Sequence, residues 1–326
     1  MPGLPNSTQM KWIVLMALLI DVGITGWMSN QDIAHAVAEF DRDLDIRTRE
    51  TLGDASEIRM AAVTNLLPDL PAMLPNLELV QKLGAGVETI VDHPQLPTHV
   101  RVARLKPKAP AREIAEFCLA YVLREQRNMR LHEAGQREAR WTSVAPKETE
   151  KTTVGVLGLG HIGGYTAGLF RDLGFRVLGW SRSEKSLPGI KCLHGTDGLL
   201  ALLAECDHVT AILPSTKATR DLFDDAMFSA MKPGSTFINA GRGDLLNEDA
   251  LVRALSKGQP THAVLDVLRQ EPLPADNPFW CNPSVTITPH VSGWHLGDAF
   301  QDVANNYNRL IAGDALLHEV NRALGY

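Results

Sequence analysis

Three polar residues of this chain stand just after short apolar runs, where the strands of a parallel sheet would end. Arg242 lies in Ala240-Gly241-Arg242-Gly243, after the run Thr236 to Asn239. Glu271 follows the run Ala263 to Val267 in Gln270-Glu271-Pro272-Leu273. His290 follows Val285 to Thr288 in Thr288-Pro289-His290. A guanidinium can hold a carboxylate and polarise a neighbouring carbonyl. An imidazole paired with a carboxylate can stay protonated near neutral pH and give its proton to a developing alkoxide. Alone, each reads as a surface arginine, a loop glutamate and a histidine beyond a strand. Together, on strands of one dinucleotide-binding sheet, they predict a hydride-transfer site.

That sheet is announced by Thr153 to Gly164, TVGVLGLGHIGG. An apolar run, Val154 to Leu157, turns through Gly158-Leu159-Gly160-His161-Ile162-Gly163 into a helical pattern from about Tyr165 to Leu173, with Gly174 as its stop and a second strand from Phe175 to Trp180. In that context the glycines allow a tight turn, close approach of a pyrophosphate and tight helix–sheet packing, and the helix start offers free amides to the phosphates. The second strand leads into Trp180-Ser181-Arg182-Ser183. An NAD site usually carries an acid here for the ribose 2′-hydroxyl. Ser181, Arg182 and Ser183 offer hydroxyls and a guanidinium, which suit a 2′-phosphate. NADP(H) is therefore the preferred cofactor, with NAD(H) possible.

The elements that position these residues follow from the alternation of strand and helix patterns. Before the fingerprint, Trp12 to Ile20 reads as a strand. A helix over Gln31 to Phe40 follows, capped by Asn30. Strands at Leu44 to Arg47, Met60 to Thr64 and Leu77 to Lys82 come next, with a proline-punctuated turn at Leu67 to Pro75. The loop Leu83-Gly84-Ala85-Gly86-Val87 exposes backbone amides, and Val100 to Arg104 reads as a further strand. A long helix is expected from Ala111 to about Arg140, with Trp141 at its end, so a second domain begins near it. Beyond the fingerprint, Leu199 to Leu203 is a helix and Val209 to Leu213 a strand. Thr236 to Asn239 is another strand, and Glu248 to Leu255 a helix capped by Asn247. Strands at Ala263 to Val267 and Val285 to Thr288 complete a set of six, the number of a full doubly wound dinucleotide domain. Gly297 to Leu317 reads as the last helix.

The 326 residues suffice for two domains with separate cores. A formal charge of −6 leaves no basic excess for a general nucleic-acid binder. Cys118, Cys192, Cys206 and Cys281 are far apart and form no CxxC, which reads as reduced thiols in a reducing, cytoplasmic compartment. No HExxH or clustered His/Cys pair indicates a metal. The segment Trp12 to Ile20 is too short to span a bilayer and no small-x-small cleavage site follows, so no membrane association is expected. Residues 1–10 read as disordered.

The motifs GLGHIGG, WSRS, NAGRGDLLNEDAL, LDVLRQEPLPADNPFW, PSVTITPH and the terminal NRALGY, with LGAGVETI and the AEF around Glu116, resemble the D-isomer-specific 2-hydroxyacid dehydrogenases, in their glyoxylate/hydroxypyruvate reductase branch. The resemblance covers most of the chain. It implies two doubly wound α/β domains, a Rossmann-type NAD(P)-binding domain over 106–292 inserted in a smaller flavodoxin-like substrate domain over 1–105 and 293–326. An active site between them and a homodimer are implied as well. Position by position, the resemblance makes His290 the acid, held protonated by Glu271, and has Arg242 bind the substrate carboxylate and carbonyl. The loop Leu83 to Gly86 would hold the carboxylate through the amides of Ala85 and Gly86. Gly158, Gly160, His161, Ile162 and Gly163 would serve the pyrophosphate. Leu213, Pro214 and Thr216 would flank the adenosine, Ala240 and Gly241 would line the cofactor with His290, and Asp266 would lie near the nicotinamide carboxamide. The long helix would form a dimer arm carrying Trp141 to the partner.

The chain departs from the pattern at Leu105-Lys106-Pro107-Lys108, at Ile114, and at Trp294 and His295. The implied activity is NADPH-dependent reduction of a small 2-oxo acid, of glyoxylate or hydroxypyruvate type, to the D-2-hydroxy acid. Two other readings fit parts of the pattern: a nucleotide-sensing binding protein on the same scaffold, and a dehydrogenase of a larger or more anionic 2-hydroxy acid. A sensing protein would be expected to carry long interaction tails and a larger-substrate enzyme a regulatory domain; neither is read in these 326 residues, so the small-substrate enzyme is the expectation.

Overall fold

The computed structural model describes residues 16–23, 27–91 and 93–323. Residues 1–10, the Trp12 to Leu15 part of the expected first strand, and the last three residues of the NRALGY motif lie outside them. In chain order the first elements are β1 (Ala17–Asp21), α1 (Asn30–Ala38), β2 (Ile46–Arg47), β3 (Ile58–Val63), α2 (Leu70–Met73), β4 (Leu79–Lys82), α3 (Glu88–Val91) and β5 (Arg101–Ala103). Then come α4 (Lys108–Gln126), α5 (Met129–Arg137), β6 (Thr153–Leu157), α6 (His161–Asp172), β7 (Arg176–Ser181), β8 (Lys191–His194), α7 (Gly195–Glu205) and β9 (His208–Ala211). The chain continues through α8 (Asp225–Ser229), β10 (Thr236–Asn239), α9 (Glu248–Ser256), β11 (His262–Leu265), β12 (Val285–Ile287) and α10 (Phe300–Ala312).

The chain divides into two compact units, Met1–Leu105 with Ala299–Ala323, and Lys106–Asp298. The first has a five-stranded parallel sheet in the order β2-β1-β3-β4-β5, the flavodoxin-like order. All five residues of β1 are buried. A strand covered on both faces needs such an unbroken apolar run, which is why this stretch imitates a membrane segment in sequence. Among the described residues no helix is long and apolar enough to cross a membrane.

The second unit has a seven-stranded parallel sheet, β12-β11-β10-β9-β6-β7-β8. Alternation along its strands supplies two cores. Phe237, Ala263 and Leu265 face a layer with Leu202, Phe228 and Leu251 of α7, α8 and α9. Val154, Val156, Ile238 and Val264 face Cys118 and Val122 of α4 and Phe170 of α6. The order places β6 between β9 and β7, so the strand order reverses beside the glycine turn, the position where doubly wound sheets bind ligands.

Several expectations need correction. The six expected strands are seven. The extra one, β8, lies at the sheet edge with no fully buried residue, so it lacks the apolar signature of a covered strand. The expected long helix to Arg140 is two helices. Asn128 adopts a left-handed conformation, φ 55°, and ends α4 before α5 begins. Asparagine tolerates that region better than most residues. The α1 cap is Ser29, not Asn30, because Ser29 and Asp32 form a reciprocal capping box. The last helix spans 300–312, not 297–317, because Gly313 closes it at φ 73°. The remaining segment is tied back by Asn306, which bonds Leu317 O at 3.1 Å and Leu317 N at 2.7 Å. Asn247 caps α9 as expected, accepting from Ala250 N at 2.9 Å.

The opposite, N-terminal edge of the large sheet holds two buried imidazoles. Thr236 of β10 lies in register with His208 on one side and His262 on the other. Among the described residues neither ring nitrogen of His208 has a hydrogen-bond partner, and His262 uses only Nε2, 2.9 Å from Thr286 Oγ1. Burial pushes each pKa down to about 4. Around His208, Asp207 and Glu125 oppose that fall while Lys147 and Lys232 reinforce it. Around His262, Glu125 opposes it, and Arg130 and Arg124 reinforce it. Because the folded values lie below the ordinary histidine value, the unfolded chain takes up protons first as pH falls. The stability present above about pH 6.5 is therefore lost between there and about pH 4, at up to ~1.4 kcal/mol per pH unit per histidine. Thermal melts from pH 7.5 to 5 should show Tm falling, and His208→Leu should make that fall shallower; an unchanged slope would rule out this source.

Candidate active site

At the C-terminal edge of the large sheet, β6 ends in the glycine turn. Gly158 has φ +98°, and a Cβ there would lie 2.5 Å from Ile212 O. At Gly163 a Cβ would come within 1.7 Å of Gly158 O, so no larger residue fits without moving the turn. Gly160, the N-cap of α6, has nothing within 4 Å of the equivalent position. This open cradle at the start of a twelve-residue helix fits a pyrophosphate, whose charge the helix amides and dipole favour. His161 and Ile162 open that helix, and His161 Nε2 lies 3.1 Å from Pro107 O.

The other residues assigned to a dinucleotide lie on the same edge. Ser181 ends β7, and its Oγ donates to Ser183 O at 2.7 Å, which shapes the turn carrying Arg182. Leu213, Pro214 and Thr216 follow β9, and Ala240 and Gly241 follow β10. A Cβ on Gly241 would lie 2.8 Å from Leu213 O, so these two segments press together.

Arg242 follows directly. Asn239, fully buried at the end of β10, grips this turn from both sides: its Oδ1 accepts from Gly241 N at 3.1 Å and its Nδ2 donates to Arg242 O at 2.8 Å. Arg242 Nη1 donates to Gly241 O at 2.7 Å. Glu271 and His290 meet. His290 Nδ1 donates to Glu271 Oε2 at 2.7 Å, and Leu268 N donates to Glu271 Oε1 at 2.9 Å. Burial alone would raise the Glu271 pKa. The bonds from His290 and Leu268 N, with the charges of His290 and Arg242, outweigh it and leave the carboxyl below its ordinary value. It is thus ionised at neutral pH. The imidazole is half exposed, and its Nε2 has no hydrogen-bond partner among the described residues.

The backbone of His290 is itself unusual, with φ +56°. That region is unfavourable for residues other than glycine and persists only where surroundings impose it. Here Asp266 imposes it. Its Oδ1 accepts from Thr288 Oγ1 at 2.6 Å and Val291 N at 2.9 Å, its Oδ2 from Ser292 N at 3.0 Å, and its carbonyl from His290 N at 2.9 Å. Asp266, expected beside a nicotinamide carboxamide, is only 1 % exposed, and the turn under His290 takes up both its oxygens. A second carboxylate holds the chain beyond. Glu113 Oε2 accepts from Trp294 N at 2.6 Å and His295 N at 3.0 Å, and Oε1 pairs with the His295 ring. Ile114 packs where a Cβ on Gly293 would sit, 3.0 Å away. The departures at 114, 294 and 295 therefore meet in one contact between α4 and this loop, whereas Lys106 and Lys108 are exposed.

In the first unit, the loop after β4 carries Leu83 to Gly86. Leu83 is buried and its amide donates to Val63 O at 2.7 Å, whereas the amides of Gly84, Ala85 and Gly86 donate to no acceptor among the described residues. Sequence reading missed Asn239, Thr288, Glu113 and Arg104. Asn239 and Arg104 carried a usable signal, a polar side chain at the C-terminal end of a parallel strand. Among the described residues no group of three His, Cys, Asp or Glu could hold a metal.

Comparison with known proteins places this geometry. Residues 119–292 match the model of the D-isomer specific 2-hydroxyacid dehydrogenase, NAD binding domain. Glyoxylate/hydroxypyruvate reductase A of Serratia proteamaculans is 36 % identical over 256 residues, 77 % of this chain and 82 % of that protein. A D-isomer specific 2-hydroxyacid dehydrogenase from Xanthobacter autotrophicus Py2, solved with NADPH and MES, superposes with a TM-score of 0.90 at 36 % identity, covering 95 % of this chain and 99 % of that one. The NADPH-dependent glyoxylate/hydroxypyruvate reductase of Sinorhizobium meliloti, solved with NADP and sulfate, gives 0.87 at 28 % identity, covering 95 % and 100 %. By its sequence and its architecture the chain belongs to the D-isomer specific 2-hydroxyacid dehydrogenases, and is thereby an oxidoreductase.

Proposed function

We propose that this protein reduces a small 2-oxo acid, of glyoxylate or hydroxypyruvate type, to the D-2-hydroxy acid with NADPH as reductant. The observation that carries the reading is the His290–Glu271 pair, 2.7 Å apart at the edge of the sheet that bears the glycine turn. Reduction of a ketone or aldehyde needs a hydride at C2 and a proton at the carbonyl oxygen. When bound, the dihydronicotinamide supplies the hydride. His290 supplies the proton from Nε2, while Glu271 holds Nδ1–H and stabilises the imidazolium. Arg242 binds the substrate carboxylate and polarises its carbonyl, and the free amides of Ala85 and Gly86 hold the carboxylate. Orientation of this kind removes several kcal/mol from a barrier before any acid catalysis.

Two lines support NADPH. The end of β7 and the turn after it present Ser181, Arg182 and Ser183, with a serine at the position where an NAD site usually carries an acid. The Serratia relative is named a glyoxylate/hydroxypyruvate reductase, and the Sinorhizobium neighbour is NADPH-dependent and was solved with NADP. We assign to a second copy of the chain the apolar surface around α5, where Met129, Leu131, Trp141 and Val144 are exposed, Trp141 at 98 %. Contiguous exposed apolar surface marks an interface, and these four residues lie within one short segment of the chain.

The test is oxidation of NADPH and of NADH with glyoxylate, hydroxypyruvate and bulkier 2-oxo acids. Turnover should be fastest with NADPH and the two small acids. Tight NADPH binding without turnover on any of them would point to a nucleotide-sensing protein, and faster turnover with NADH would overturn the cofactor assignment. Arg182→Ala should raise KM for NADPH about 10- to 100-fold, the worth of a charged hydrogen bond to phosphate, and leave KM for NADH within about twofold. Equal effects on both cofactors would remove Arg182 from that role.

A further inference from the structure

The loop Gly84 to Gly86 has a neighbour that no part of this assignment uses. Arg104 follows β5, the strand beside β4 in the small sheet. Its Nη1 donates to Ala85 O at 3.3 Å, and the amide of Leu105 donates to Gly84 O at 3.0 Å, so the end of β5 holds the loop by its carbonyls. The carbonyls are engaged, and the three amides remain without acceptors. Successive backbone amides without acceptors are the donors from which anion-binding concavities are made. Arg104 is half-buried, and no Asp or Glu among the described residues pairs with it; among those residues the Ala85 carbonyl is the only acceptor of its side chain. Burial pushes its pKa below the ordinary guanidinium value, and no neighbouring carboxylate counters that shift. Other half-buried arginines of this unit, such as Arg47 with Asp45 and Glu57, are matched by acids. A desolvated cation without a counter-ion is costly. Its other N–H groups, beside three free amides, are suited to an anion arriving from solution.

We propose that Arg104 is a substrate-binding residue, the cationic half of a carboxylate seat whose other half is the amides of Gly84, Ala85 and Gly86. The seat takes the C1 carboxylate of the 2-oxo acid, so it selects for the acid over the corresponding amide or aldehyde. This rests on the proposed reduction of 2-oxo acids, and it deepens that reading by naming what fixes the carboxylate in the first unit.

The test uses oxalate, a non-reducible dicarboxylate with the shape of a 2-oxo acid, titrated into the protein saturated with NADP⁺. Arg104→Met should weaken oxalate binding and raise KM for glyoxylate about 10- to 100-fold, with kcat and KM for NADPH within about threefold. Arg104→Lys should recover most of the loss, because it restores the charge. Tm of the methionine variant should be unchanged or higher, since an apolar side chain of similar length carries no desolvation cost there. Unchanged oxalate affinity in Arg104→Met would overturn the proposal. So would a fall in Tm with kcat and both KM values worsening together, the mark of a structural strut. Oxalate binding that depends on Arg104 in a protein that reduces no 2-oxo acid would uphold the seat while removing the proposed reaction.

Discussion

The buried carboxylate of Asp266 is the constraint on which the active edge depends. It lies just past the end of β11 and gathers a hydroxyl and two amides from the turn after β12. Those bonds force His290 into a backbone conformation that a histidine does not choose alone. The cost, about 1 kcal/mol or more, is met by those bonds from Asp266, which is anchored at the end of the buried strand β11 and reaches the turn after the edge strand β12. The local strain thus sits where the imidazole must be aimed at Glu271, and the parallel sheet supplies the rigidity to hold it there.

A single rule of parallel sheets explains why so many distant residues converge. Strands running in one direction deliver all their C-terminal ends to one edge. β6, β7, β9, β10, β11 and β12 bring the glycine turn, the Ser181–Ser183 turn, the 213–216 segment, Arg242, Asp266 and His290 to that edge. The opposite edge carries His208 and His262, held neutral by burial. The two edges therefore divide the work: one is strained and polar, the other packed and dependent on neutral pH for its stability.

Much of this was legible in the sequence because the signals are local. The Thr236–Asn239 strand and the Asn247 cap of α9 coincide with the expectations read from residue pattern alone. The apolar run at β1 and the glycine turn were readable for the same reason. What escaped depended on partners far along the chain. The edge strand β8 has no covered face and so no apolar run. The break at Asn128 rests on one residue's backbone conformation within an unbroken helical pattern. The pairing of Glu113 with the 294–295 segment joins residues about 180 positions apart, and no motif records that Arg104 lacks a carboxylate partner among the described residues. The Asp266 side chain was noticed for a cofactor, and only the fold reveals the turn beneath His290 that it holds.

The proposed reaction stands on His290 as the proton donor, and His290→Asn tests it most directly, because asparagine tolerates the left-handed backbone and leaves the turn in place. NADPH binding, followed by cofactor fluorescence, and the single-turnover rate of NADPH oxidation with glyoxylate would be measured on the same sample. NADPH affinity should stay within about threefold of the native protein, and the single-turnover rate should fall by roughly 10²- to 10⁴-fold, the usual worth of general acid catalysis. A variant that binds NADPH and reduces glyoxylate at close to the native rate would contradict the role of His290 as the acid.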